Sequence, residues 1–241
     1  MTDLASMALL DDAIEASGGL ARWDRLKRFT LHLSIEGMLF SRIGRAGQFK
    51  DLTAEGSTRT QSVRFTGLTG GENCGSFQPD MVTIESPDGQ VLRTWRNPSV
   101  AFPDHAKDPL TDELHLVFFC GSSIWNYLTM PFLLARPDVE VEELPPCQEN
   151  GQPWRRLRAV FPPDIVTHSP EQIFYFDESG LQRRTDHDLL GTRVAHYSWA
   201  HQPFCDIVVP TLRRSQMLRP DGTVIAKPVL IDVEIFDVWF E

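Results

Sequence analysis

The chain has 241 residues, 33 acidic against 23 basic, and a formal net charge of −10. Such a balance argues against generic binding to nucleic acid or anionic membrane, both of which want a basic surface. A chain this long buries about 70–75% of its unfolded surface, so its core needs no staples. The four cysteines, Cys74, Cys120, Cys147 and Cys205, are widely spaced with no Cys-x-x-Cys unit, against a zinc ribbon or a thioredoxin-type site. No spacing calls for a metal or a cofactor.

Residues 1–6 carry an early acid and no basic stretch leading into an apolar run, so no signal peptide is read there and the cytoplasm is the expected compartment, with reduced thiols. Residues 4–17 read as a helix with Leu4, Ala8, Leu9, Ala13 and Ile14 on one face, ended by Gly18-Gly19. Leu20, Trp23 and Leu26 then recur at a spacing of three. From Phe29 the period falls to two, with Leu31, Leu33 and Ile35 inward and Thr30, His32 and Ser34 outward: a strand with one wet face. Short strand-like runs follow at 48–54, 58–66, 80–85 and 91–95, separated by turns such as Glu55-Gly56, Gly70-Gly71 and Pro87-Asp88-Gly89, and a Pro-containing loop spans 97–109.

The most apolar stretch, 114–134, could suggest a membrane span, but Gly121, Ser122, Ser123, Asn126 and His115 argue against that. It reads as a buried helix, or a helix pair broken near Gly121, within a helical insert at about 111–135. After Pro137 strand-like runs resume at 139–144, 154–161, 172–177, 181–189, 195–201, 207–216 and 228–239. With no repeat and no linker-like tract, one β-rich domain over 1–241 is expected, an antiparallel sheet of about eleven strands. The central insert then belongs in the hollow of that sheet.

The opening Gly18-Gly19-Leu20-x-x-Trp23-x-x-Leu26 followed at once by an alternating strand, and the closing Ile207-Val208-Val209-Pro210-Thr211, Asp221-Gly222 turn and last alternating strand, resemble outer-membrane lipoprotein-sorting proteins and their relatives. The resemblance implies the lipoprotein-carrier-like fold: a mainly β, unclosed antiparallel barrel with helices packed in its concave side and an apolar cavity between. That fold also hosts a cytoplasmic enzyme of indole-pigment biosynthesis, so the resemblance does not choose between binding and catalysis.

The most informative local feature is the hairpin at 181–199. A two-residue turn at Gly191-Thr192 would set His187 opposite His196 and Asp186 opposite Tyr197. One face would carry Arg183, Thr185, His187, His196 and Ser198, the other Gln182, Arg184, Asp186, Tyr197 and Trp199. Neither is apolar, which suggests either a polar lining to the hollow or a wet edge hairpin. His187, His196, Asp186 and Tyr197 are therefore the candidate catalytic set, since imidazole titrates near neutral pH and Tyr donates a hydrogen bond. Trp125, Tyr127, Met130, Phe132, His168, Tyr175 and Arg184 are the candidate binding set, with core packing the competing role for the aromatics. The adjacent arginines Arg155-Arg156, Arg183-Arg184 and Arg213-Arg214 read as solvated, each pair split between two faces. Three functions fit: a binding protein for an apolar or aromatic small molecule, an enzyme of small-molecule metabolism doing cofactor-free acid–base chemistry in the same cavity, or a module that docks a protein partner.

Overall fold

A computed structural model describes residues 4–68, 73–98 and 112–241, with side chains from Met7 onward. The Gly70-Gly71 turn and most of the 97–109 loop lie outside the described residues. One large antiparallel sheet dominates. Its first meander comprises β1 (Arg28–Glu36), β2 (Phe49–Ser57), β3 (Val63–Thr66), β4 (Cys74–Gln78), β5 (Met81–Glu85) and β6 (Val91–Arg96). The second comprises β7 (Glu140–Glu149), β8 (Gln152–Val160), β9 (Glu171–Phe176), β10 (Gln182–Leu189), β11 (Thr192–Phe204) and β12 (Ile207–Leu218), followed by the short β13 (Val224–Ile225) and by β14 (Ile231–Phe240).

The strand order is β6-β5-β4-β3-β2-β1-β14-β12-β11-β10-β9-β8-β7, with β13 on β12. The first and last long strands thus meet in the middle, and the two meanders run outward to free edges at β6 and β7. The sheet is not closed. It has more strands than the eleven expected: β4 was not read because Cys74-Gly75-Ser76 lacks β-branched residues, and β13 is only two residues long.

Helices α1 (Leu4–Ala16), α2 (Leu20–Trp23) and α3 (Met38–Arg42) are peripheral, whereas α4 (Glu113–Thr129) and the 3-10 turn Phe132–Ala135 join the outer edges of the two meanders. The chain therefore has to cross the hollow between β6 and β7. The composition of α4 fits this route, because fourteen of its seventeen residues are buried, on every side of the helix. A helix apolar all round needs cover all round. One flank lies on β3, β4 and β5. The other meets the second meander, where Tyr127 stacks on His196 of β11 with ring centroids 4.5 Å apart.

The helix starts where Asp112 accepts from Leu114 N at 2.8 Å and from Arg93 of β6 at 2.6 Å, which fixes its first turn to the sheet edge. Its buried hydroxyls bond back along the helix, Ser122 and Ser123 to Phe119 O and Thr129 to Trp125 O. Gly121 does not break it. A Cβ there would stand 2.5 Å from the Cβ of Phe77, so the glycine lets α4 approach β4 closely.

Gly121→Ala is accordingly expected to destabilise the fold. The helix-propensity gain of about 1 kcal/mol is outweighed by an overpacking cost of about 1–3 kcal/mol, and urea unfolding would show a lower midpoint at unchanged slope. A raised midpoint would mean that α4 sits off the sheet.

Candidate functional site

Between α4 and the second meander the packing leaves a small void of about 30 Å³. It holds about two waters as it stands. Tyr127 and Met130 face it from α4 and its C-cap, Phe174 from β9, Thr185 and His187 from β10, His196 from β11 and Arg213 from β12. His168, from the loop between β8 and β9, closes one side.

Strand alternation assembles this wall. The β10–β11 turn is Leu190-Gly191, both at positive φ, rather than Gly191-Thr192. That moves the register by two residues: His196 faces Thr185, and His187 faces Val194. The direct His187–His196 pair is thus corrected to a diagonal one, ring centroids 6.4 Å apart. A shift of two preserves which face each residue occupies, so both histidines still share a face, and that face is the one on the void. A register irregularity between Gln182 and Arg184 turns Gln182 inward as well, where it donates to Thr185 Oγ1 at 2.8 Å.

Asp186 and Tyr197, placed with the histidines in the candidate catalytic set, lie on the opposite, convex face. There Arg184 holds Asp186 in a two-pronged ion pair (2.6 and 2.8 Å), Tyr175 donates to Asp186 at 2.7 Å and Tyr197 donates to Glu149 at 2.7 Å. Trp154 packs over this cluster from the β7–β8 hairpin, so the hairpin is not a wet edge. Tyr175 and Arg184 belong to the same brace, away from the void. Trp125 donates to Ser57 O at 2.8 Å on the other flank of α4, and Phe132 stacks on Trp23 at 4.4 Å. Of the expected residues, Tyr127, Met130, His168, His187 and His196 meet at one place.

The sequence reading missed Arg213 and Ser123. Arg213 is 2% exposed, contrary to the solvated reading, while its neighbour Arg214 points outward to Asp232 at 3.1 Å. Its guanidinium donates to Ser198 Oγ (3.1 Å) and Tyr127 O (3.0 Å) and lies 4.7 Å from the Tyr127 ring centre. Among the described residues it has no carboxylate partner. Burial pushes its pKa down to about 10, still charged at neutral pH. Only its position in a strand otherwise inward-facing at Val209 and Ser215 could have signalled this.

Ser123 donates to Phe119 O, and its oxygen lies 2.6 Å from His168 Nε2, from which it accepts when that nitrogen carries the ring proton. In that tautomer His168 braces the serine rather than activating it. Burial lowers the pKa of His168 to about 3 and of His187 to about 4, and puts that of His196 well below the ordinary histidine value. All three are neutral at pH 7.

Four buried polar atoms on this lining lack a partner: Asn126 Oδ1, His187 Nδ1, His196 Nε2 and Arg213 Nε. The opposite atoms are engaged, since Asn126 Nδ2 donates to Val166 O at 2.9 Å and His196 Nδ1 pairs with Ser215 Oγ at 2.8 Å. Among the described residues no group of three His, Cys, Asp or Glu is arranged to hold a metal. A wider crevice of about 580 Å³ between α1 and the turn at Asp177–Gly180 is superficial, and its Asp12 and Asp177 are paired with Arg155 and Arg183.

The chain is similar to the crystal structure of a LolA superfamily protein from Nitrosomonas europaea, at 8% identity and a TM-score of 0.52, covering 98% of this chain and 93% of that one. It is likewise similar to an outer membrane lipoprotein-sorting protein domain from Vibrio parahaemolyticus, at 11% identity and a TM-score of 0.53, with the same coverage. The fold is that of the LolA superfamily. No family model and no curated protein matches the sequence. At such identity the LolA likeness carries the fold alone. The cytoplasmic expectation is corrected by the same comparison, since one of these two structures is by name a protein of outer membrane lipoprotein sorting. No helix among the described residues is long and apolar enough to cross a membrane.

The neutral histidines give stability a pH dependence. Above about pH 6.5 both folded and unfolded states hold them neutral; below it the unfolded chain takes up protons that the native state refuses, so stability falls as pH drops toward 4. His187 and His196 together are expected to contribute a slope of at most about 2–3 kcal/mol per pH unit in that window. Unfolding at pH 7, 6 and 5 should show this loss, and His187→Gln should flatten it. An unchanged slope in that variant would place His187 in water.

Proposed function

We propose that the protein binds an apolar small molecule in the space between α4 and the second meander. The observation that carries this is that four residues around one void, from α4, β10, β11 and β12, each keep a buried polar atom without a partner. Each such atom costs about 1–3 kcal/mol, and native structures keep few of them. Concentrated on one lining, they are groups waiting for a guest. The lining supports an apolar guest with a polar end, because Met130, Phe174 and the Tyr127 ring supply surface while the polar atoms fix orientation.

The void is too small for such a guest as it stands, so binding requires an opening. Met130 is suited to this: it is half-buried, directly follows the last turn of α4, and its unbranched thioether side chain repacks easily. One of the two similar structures is named for outer membrane lipoprotein sorting, which supports an apolar cargo for this fold.

A second reading, turnover of the guest by proton transfer, is favoured by His187 and His196. Both line the void, are neutral at pH 7 and keep a buried ring nitrogen without a partner. Asp186 and Tyr197 serve this reading only from behind, as part of the brace that fixes β10 and β11.

Protein purified from its native host is expected to retain a small molecule in native mass spectrometry, and Met130→Trp, filling the mouth, to abolish that mass while keeping the melting temperature within a few degrees. An empty protein whose behaviour Met130→Trp does not alter would leave the void to water. If conversion occurs, alanine at His187 or His196 should remove it and spare affinity.

A further inference from the structure

Water can serve the unpartnered atoms of Asn126, His187 and His196, which are neutral. It serves Arg213 poorly. A guanidinium taken out of water loses several kcal/mol of hydration, and here the compensation is two neutral acceptors and the face of Tyr127, with Nε–H unused. No carboxylate among the described residues approaches it. The contrast with Arg184 is direct, since Arg184, also buried two strands away though less deeply, holds both Asp186 and Glu149. The fold thus pairs its buried arginine on the convex face and leaves the one on the concave face without a counter-charge.

We infer that the missing counter-charge is supplied by the guest, an apolar monocarboxylate whose head group lies against Arg213 Nε and His196 Nε2. This rests on the reading of the void as a binding site and names the ligand class. The cross-strand geometry supports it: His196 is paired with Ser215 and Ser198 with Arg213, so the His196 and Arg213 side chains occupy neighbouring positions on one face of β11 and β12. Ser215 is able to donate its hydroxyl to His196 Nδ1, which puts the ring proton on Nε2 as a second donor to the same oxygen pair.

A single negative charge fits better than a phosphate dianion. Within the lining Arg213 is the only cation, and the three histidines are neutral. A planar carboxylate also matches the geometry of a guanidinium edge. The rest of the guest would run past Tyr127 and Phe174 toward Met130, where the lining is apolar and less deeply buried.

The test is calorimetric titration of the full chain, first stripped of any bound molecule, with octanoate, decanoate and hydrocinnamate against octanol, decanol and hydrocinnamyl alcohol. Arg213→Met and Arg213→Lys are measured beside the native protein, each with a thermal melt. The acids are expected to bind and the matched alcohols to bind roughly 10- to 100-fold more weakly, the worth of a hydrogen-bonded charge pair. R213M should erase the preference and R213K restore part of it. R213M should also melt at or above the native temperature, because it removes a buried charge with no partner in the chain.

Alcohols binding as well as acids, or a preference untouched in R213M, would overturn the inference and leave the apolar site standing. Failure of all six probes would overturn both.

Discussion

Everything in this fold follows from burying one helix on all sides. Helix α4 joins the two outer edges of an open sheet, so the chain must carry it across the hollow, and its side chains are buried around the whole circumference. A flat sheet could cover only one of those flanks. The sheet has to curve until both meanders reach the helix, and the loop between β8 and β9 is drawn in with them. Gln61, beyond β2, holds Val166 of that loop by two hydrogen bonds of 3.0 and 2.8 Å, and Asn126 of α4 holds the same residue at 2.9 Å. Loop, helix and first meander are thus fixed by one backbone position.

The two flanks of α4 are packed differently. Toward β3–β5 the fit is close enough to require glycine on both sides, with Gly121 against Phe77 and Gly75 against Val117. Toward β9–β12 the contacts are polar and aromatic and do not fill the space. This asymmetry locates the void: the tight flank anchors the helix, and the loose flank leaves its polar atoms short of partners. On the proposed reading, stability and binding occupy opposite sides of one element, as expected where a binding site carries groups that the folded state alone leaves unsatisfied.

The β10–β11 hairpin divides in a similar way. Its convex face is a satisfied network of Arg184, Asp186, Glu149, Tyr175 and Tyr197, whose hydrogen bonds hold β9, β10 and β11 against the tip of the β7–β8 hairpin. Its concave face presents His187 and His196 to the void. This hydrogen-bonded backing fixes β10 and β11, and with them the two rings, from the opposite face.

Much of this was legible in the residues. The period-two runs from Phe29 onward, the turn glycines and the apolar block at 114–134 determined an antiparallel sheet around a buried helix, because alternation and turn chemistry are local. The polar character of both faces of the 181–199 hairpin was likewise visible. What the sequence could not determine was where a face points and what it meets. Asp186 and His187 are neighbours in the chain and end up in different environments, one ion-paired and one facing the void. Arg213 and Arg214 look alike on paper, yet one is buried and the other is on the surface. Ser123 and His168, 45 residues apart, are joined by a hydrogen bond. These differences depend on the curvature of the sheet and on which strand lies beside which, quantities set by the packing of the whole chain around α4 and carried by no short stretch of it.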